Sequence, residues 1–185
     1  MTGHSAQQPV GRASAWGWTS YAAVAPDSPH SSWWLPALRH GSLRWDAHPG
    51  CASHESAVWS LGFDRGAVKL ARDRTAVVLR DWGMSRLVGD VELVVSELVT
   101  NALRHGGAGM LDAPDCENVI QLSMMRRGSE LICAVRDASD RLPTLREPDF
   151  MAESGRGLHL VSCFSRDWGA VPTAPVGKFV WALFA

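Results

Sequence analysis

Apolar residues at Val91, Val94, Val95, Leu98, Val99 and Ala102 recur at i, i+3, i+4 and i+7, the spacing of a helix with one buried face. They predict a helix from about Leu87 through His105. Upstream, residues 58–63 form an apolar stretch that predicts a first strand, and Asp64 is placed to cap a helix running to about Trp82. Val68, Ala71, Val78, Leu79 and Trp82 are the inward positions of that helix, and Trp82-Gly83 ends it. Downstream, residues 119–127 and 130–137 read as two strands joined at Gly128-Ser129, a dipeptide suited to a tight hairpin. A helix from about Gly157 to Phe164 follows, and residues 168–171 and 178–184 close the chain as a second hairpin. Strands grouped as hairpins need helices that cover one face, which predicts an α+β fold: a two-layer sandwich with a mixed, mostly antiparallel sheet.

The polar residues of the first amphipathic stretch stand out against this pattern. Glu97 and Asn101 lie four residues apart, so their side chains stack on one side of the helix, and His105 continues the row with Arg104 beside it. A carboxylate and a carboxamide on a helix that packs apolar side chains need partners, because burying them unpaired is costly. A hydrated divalent cation is one such partner, with Asn supplying a neutral oxygen and Glu orienting or deprotonating a nearby hydroxyl. A solvated polar edge has the same spacing, and the helix alone does not separate the two readings.

Two later segments add to the first reading. The apolar run Leu131-Ile132-Cys133-Ala134-Val135 leads through Arg136 to Asp137, followed by Ala138-Ser139-Asp140. Gly155-Arg156-Gly157-Leu158 then opens an apolar helical stretch, 18 residues after Asp137 and 54 after Asn101. Glycines before a helix let backbone N–H groups and the helix dipole approach a phosphate. A lone Gly-x-Gly is a weak signal, but order, spacing and residue type agree across three separated segments.

On those residues the chain resembles the nucleotide-binding domain of the GHKL superfamily, which includes gyrase, histidine kinases and MutL. It is most similar to the anti-sigma-factor serine kinases of the SpoIIAB/RsbW type, in their actinobacterial form, over roughly residues 57–185. The resemblance implies a Bergerat-type ATP-binding fold in which Glu97-x-x-x-Asn101 is the catalytic and Mg²⁺ box, with Asn101 on the metal. It implies that Asp137 receives the adenine amino group, with Ser139 in the turn beside it. Gly155, Arg156, Gly157 and Leu158 would grip the phosphates beneath a mobile lid of residues 138–154, with Arg104 and His105 at the edge of the site. Gly177-Lys178-Phe179-Val180-Trp181 matches the family's final strand, except that Phe179 stands where the family has a Thr whose hydroxyl helps to hold a water at the adenine. Ala138-Ser139 stands where wider GHKL members carry a glycine.

Composition frames these expectations. A length of 185 residues fits one domain plus an extension, and 46% hydrophobic content is enough for a core. The net charge of −1 offers no general attraction to nucleic acid or anionic membrane. No apolar run reaches the length of a membrane span, and no basic-then-apolar leader opens the chain, so a cytoplasmic protein is expected. Cys51, Cys116, Cys133 and Cys163 form no Cys-x-x-Cys pair, and Cys133 and Cys163 read as buried reduced thiols.

The chain divides near residue 56. Residues 1–56 hold five of the nine tryptophans and five of the seven histidines but no lysine, and read as a poorly ordered extension with a few local turns or one short helix around residues 33–40. Its tryptophans would bind a partner, fold back onto the domain, or have no defined role. Residues 57–185 are the ATP-binding domain.

Other nucleotide and hydrolase chemistries fail on the residues present. Gly177-Lys178 is followed by Phe179 and preceded by Pro172 where a Walker loop needs Ser or Thr and Gly. No protein-kinase His-Arg-Asp or Asp-Phe-Gly triplet and no Gly-x-Ser-x-Gly elbow is present. Lys178 reads as a strand-edge charge. The leading expectation is an ATP- and Mg²⁺-dependent serine/threonine kinase acting on an anti-sigma-factor antagonist. The competing one is a nucleotide-sensing module that sequesters a sigma factor or other regulator without turnover, and Phe179 gives it weight. A homodimer is compatible with either expectation.

Overall fold

Alternation along each strand puts odd and even residues on opposite sides of the sheet, and here both sides are apolar. The structure, a computed structural model, describes Trp34 and residues 55–106, 119–144, 156–173 and 176–185. The strands β1 (Glu55–Gly62), β2 (Val119–Arg127), β3 (Glu130–Asp137), β4 (Asp167–Pro172) and β5 (Lys178–Phe184) form one sheet in the order β1-β2-β3-β5-β4. Each of the four pairings is antiparallel. The helices are α1 (Gly66–Asp81), α2 (Val88–His105) and α3 (Gly157–Phe164), and a 3-10 turn at Ser85–Leu87 leads into α2. This is the expected α+β sandwich.

The elements form for local reasons that were visible along the chain. All six apolar positions of the amphipathic stretch, from Val91 to Ala102, are buried in α2. In α1, Ala71 and Leu79 are buried, while Val68, Val78 and Trp82 are half-buried against the same core. The N-cap of α1 is Arg65 and not the expected Asp64, but Asp64, one residue earlier, still accepts the Gly66 N–H through Oδ1 at 2.6 Å and so satisfies the first orphan donor. At the other end, Gly83 takes φ 69°, and bonds from Gly83 N–H to the Arg80 carbonyl and from Met84 N–H to the Leu79 carbonyl close the helix. That is the double closure a left-handed glycine permits. Gly128, with φ 61°, turns the β2–β3 hairpin.

One apolar layer joins Leu122 and Met124 of β2, Leu131, Cys133 and Val135 of β3, and Val180, Ala182 and Phe184 of β5 to the helices. The other layer, on the far side, contains Met125, Ile132, Ala134, Val171, Phe179 and Trp181. Trp34 packs into this second layer, its ring 4.2 Å from that of Trp181 and inclined by 47°. Of the three fates open to the N-terminal tryptophans, Trp34 therefore folds back onto the domain; the helix expected around residues 33–40 otherwise lies outside the described residues.

The cysteine expectation needs one correction. Cys133 is buried in β3, and desolvation pushes its thiol up to about 12, so it stays protonated and inert. Cys163 is exposed, because Val161 alone of the short α3 reaches full burial. No helix among the described residues is long and apolar enough to cross a membrane.

Candidate functional site

The C-terminal half of α2 carries Glu97 and Asn101, both half-buried, and ends with the exposed Arg104 and His105. These two basic residues lie in the last turn, where positive charge suits the helix dipole. What surrounds this row is set by two glycines. A methyl group placed on Gly157, the first residue of α3, would lie 2.7 Å from Glu97 Oε2, 3.6 Å from Asn101 Nδ2 and 3.7 Å from Asn101 Oδ1. A methyl on Gly106, which caps α2, would lie 2.9 Å from Asp137 Cβ and 3.3 Å from its Cγ. The start of α3, the end of α2 and the end of β3 thus converge, although their sequences are far apart. Glycine permits both close approaches: at Gly106 a methyl would meet the Cβ of Asp137, and at Gly157 it would meet the flexible end of Glu97.

Asp137 is held firmly. Its Oδ1 accepts the Ser139 backbone N–H at 2.9 Å and the Lys178 ammonium at 2.7 Å. Lys178 also donates to the Ser139 carbonyl at 3.0 Å, and Ser139 Oγ accepts the Arg141 N–H at 3.2 Å. Asp137 and Lys178 each expose only 5% of their side chains. They face one another because Asp137 and Lys178 are cross-strand partners, and parity puts both on the helix side with Val135 and Val180. Behind the pair, Gly177 takes φ 97° and donates its N–H to Asp140 Oδ1 at 2.6 Å, tying the exit of β3 to the start of β5.

The structure therefore brings Glu97, Asn101 and Gly157 into one cluster and Asp137 and Ser139 into an adjoining one. Arg156 precedes α3 and is exposed, Leu158 is half-buried within its first turn, and Arg104 and His105 lie at the rim. Gly155 and residues 145–154 of the expected lid lie outside the described residues.

Two corrections concern β5. Lys178 is not a strand-edge charge: it is buried at the centre of the Asp137 cluster. Phe179 is fully buried in the far layer, so its ring does not reach the helix side. Sequence reasoning missed Lys178 and Gly106. Strand parity was a partial signal: it sets Lys178 on the face of Val180, Ala182 and Phe184 and Phe179 on the other, and packing decides that the helices cover the first.

No cluster of three His, Cys, Asp or Glu side chains suited to a metal is found among the described residues. A Mg²⁺ that travels with phosphates does not need one, because it takes one or two protein oxygens and completes its shell with phosphate and water. Asn101, half-buried beside the start of α3, fits that requirement. A separate groove of about 500 Å³ lies between α1 and α2, lined by Arg65, Val68, Lys69, Arg72, Asp73 and Glu92, and none of the cluster residues reaches it.

Residues 63–183 match the family model described as the histidine kinase-like ATPase domain. Among solved structures, the RsbU and RsbW domains of Rv1364c from Mycobacterium tuberculosis superpose with a TM-score of 0.52 at 17% identity, covering 70% of this chain and 31% of that one. The chain thus spans about a third of that protein. The SiaB-SiaC complex from Pseudomonas aeruginosa gives a TM-score of 0.50 at 13% identity, covering 69% of this chain and 88% of that one. These likenesses are of fold. No curated protein matches the chain in sequence.

Proposed function

This chain belongs to the histidine kinase-like ATPase domain family, and we propose that it binds ATP-Mg²⁺ and phosphorylates a serine or threonine of an anti-sigma-factor antagonist. The observation that carries the reading is the contact of Gly157 with Glu97 and Asn101, one helix turn from the contact of Gly106 with Asp137. That arrangement supports a reading in which a phosphate-binding helix start, a metal oxygen, a base and a purine-reading carboxylate follow one another along a bound nucleotide.

Asp137 accepts the adenine amino group, Asn101 holds the Mg²⁺, and Gly155, Arg156, Gly157 and Leu158 receive the phosphates. Mg²⁺, when bound, neutralises phosphate charge. Glu97 accepts the proton of the substrate hydroxyl as its oxygen bonds to the γ-phosphorus and the bond to the β-phosphate oxygen breaks, leaving ADP. Such a transfer depends on positioning and charge neutralisation more than on covalent chemistry. Partners of this reading are an antagonist protein and, through it, a sigma factor; the protein works in the cytoplasm and contacts neither nucleic acid nor membrane.

The binding-only alternative drew its weight from Phe179, and a ring on the far layer neither fills the base site nor argues against catalysis. Phe179→Thr should therefore act on the fold. It is expected to lower stability by about 3–5 kcal/mol, as removal of a buried aromatic ring does, and to leave the ATP-induced rise in melting temperature unchanged. Thermal melts with and without ATP check this; a larger ATP-induced rise in the variant would return Phe179 to the pocket.

Gly157→Ala offers a finer test of the cluster. The added methyl meets the far end of a flexible Glu97 side chain, so the fold should tolerate it while Glu97 is displaced. Stability should change by less than about 1 kcal/mol, while phosphoryl transfer falls roughly 10- to 100-fold, the usual penalty of misplacing a reacting group by an ångström. Unchanged transfer would separate Gly157 from the chemistry.

The reading itself is tested by incubating the full chain with radiolabelled ATP, Mg²⁺ and candidate antagonist proteins. Label on a serine or threonine of one antagonist is the expected result. ATP binding without transfer to any antagonist would leave the binding-only function.

A further inference from the structure

The Asp137–Lys178 pair leaves two groups unused. Lysine has three N–H donors, and Lys178 spends two, on Asp137 Oδ1 and the Ser139 carbonyl. Both bonds to Asp137 end on Oδ1, so Oδ2 has no hydrogen-bond partner among the described residues. One acceptor and one donor are thus uncommitted on two bonded, charged side chains that are each 95% removed from solvent. Oδ2 is not among the polar side-chain atoms that are fully enclosed without a partner among the described residues, which are Thr75 Oγ1, Ser123 Oγ and Trp181 Nε1, so it keeps contact with solvent and is open to a ligand. Lys178 is also one of only two lysines against sixteen arginines, so an ammonium at this position is not a matter of general surface charge.

An acceptor beside a donor is the complement of the adenine edge, where the 6-amino group donates and ring nitrogen N1 accepts. We propose that Lys178 is a base-specificity residue: its third N–H donates to N1 of adenine while Asp137 Oδ2 accepts from the 6-amino group. The inference rests on the ATP-binding reading above and goes further by giving the base two direct protein contacts. Lys178 is preorganised for this by its bonds to Asp137 and Ser139, and the glycines at 106 and 177 leave no side chain against Asp137 on either side. Guanine presents an acceptor at position 6 and a donor at N1, the reverse order, so the same pair rejects it.

The test removes one acceptor from the ligand. Isothermal titration of the full chain with ATP and with 1-deaza-ATP, which carries a C–H in place of N1, should show ATP binding about tenfold or more tighter, the worth of one charge-assisted hydrogen bond. In Lys178→Met the two nucleotides should bind within about twofold of each other, because the donor that distinguishes them is gone. If Lys178 only neutralises Asp137, the preference persists in the variant, and the proposal falls. If the variant does not fold, the unsubstituted chain decides: equal affinity for the two nucleotides overturns the role of Lys178 while leaving ATP binding intact. Binding of neither nucleotide overturns the ATP-binding reading and this inference with it.

Discussion

Asp137→Ala should lower folding stability by about 3–5 kcal/mol and weaken nucleotide binding together. The two losses have different origins. Stability falls because Asp137 and Lys178 are each 5% exposed and bonded at 2.7 Å, so deleting the carboxylate leaves an ammonium buried without its counter-charge. Breaking a buried pair on one side costs about 3–5 kcal/mol for that reason. Binding falls because the acceptor for the base amino group is gone, a charge-assisted bond worth about 1.5–3 kcal/mol, or roughly 10- to 150-fold in affinity. The double variant Asp137→Ala/Lys178→Met should separate them, since a neutral apolar pair in the same space is often tolerated as well as the ion pair. It should regain most of the lost stability and none of the lost affinity. Urea unfolding and calorimetry of the three variants read both quantities, and an Asp137→Ala protein as stable as the parent would mean that the pair contributes nothing to the fold.

The second large effect is kinetic. Glu97→Gln keeps the size and the hydrogen-bonding capacity of the side chain but cannot take up a proton. Nucleotide affinity should stay within about twofold, since the base makes no contact that binding requires, while transfer to the antagonist falls by about 10²–10⁴-fold. Asn101→Ala should show the opposite signature, a weakening of Mg²⁺-dependent ATP binding through loss of a metal oxygen. The contrast is informative because both residues neighbour Gly157 on adjacent turns of α2. Should both variants bind and transfer like the parent, the row from Glu97 to His105 is only the polar edge of an amphipathic helix.

Much of the fold could be read from the chain because its signals are local. The six apolar positions of α2, the glycines at 83 and 128, and the two central strands at 119–127 and 130–137 were each decided within a few residues. The residue types of the site were legible for a similar reason: Glu97 and Asn101 share a helix side, Asp137 ends an apolar strand, and Gly157 opens a helix. What local pattern does not contain is which elements meet. That Gly157 abuts Glu97 and Gly106 abuts Asp137 depends on how α2 crosses the sheet.

Lys178 and Phe179 show where the boundary lies. The period of two along β5 tells that they face opposite ways, and that much belongs to the sequence. Which of them faces the helices depends on the register that sets Asp137 opposite Lys178, 41 residues apart. A one-residue slip would exchange their faces, and what excludes it is nonlocal: Val180, Ala182 and Phe184 must lie under the helices while Phe179 and Trp181 join Trp34 on the other side. The sequence alone therefore determined the elements, their order and the chemical kinds of group available. Only the tertiary structure decided that a lysine, and not the aromatic ring beside it, is buried against Asp137, because burial of a side chain is a property of what packs over it.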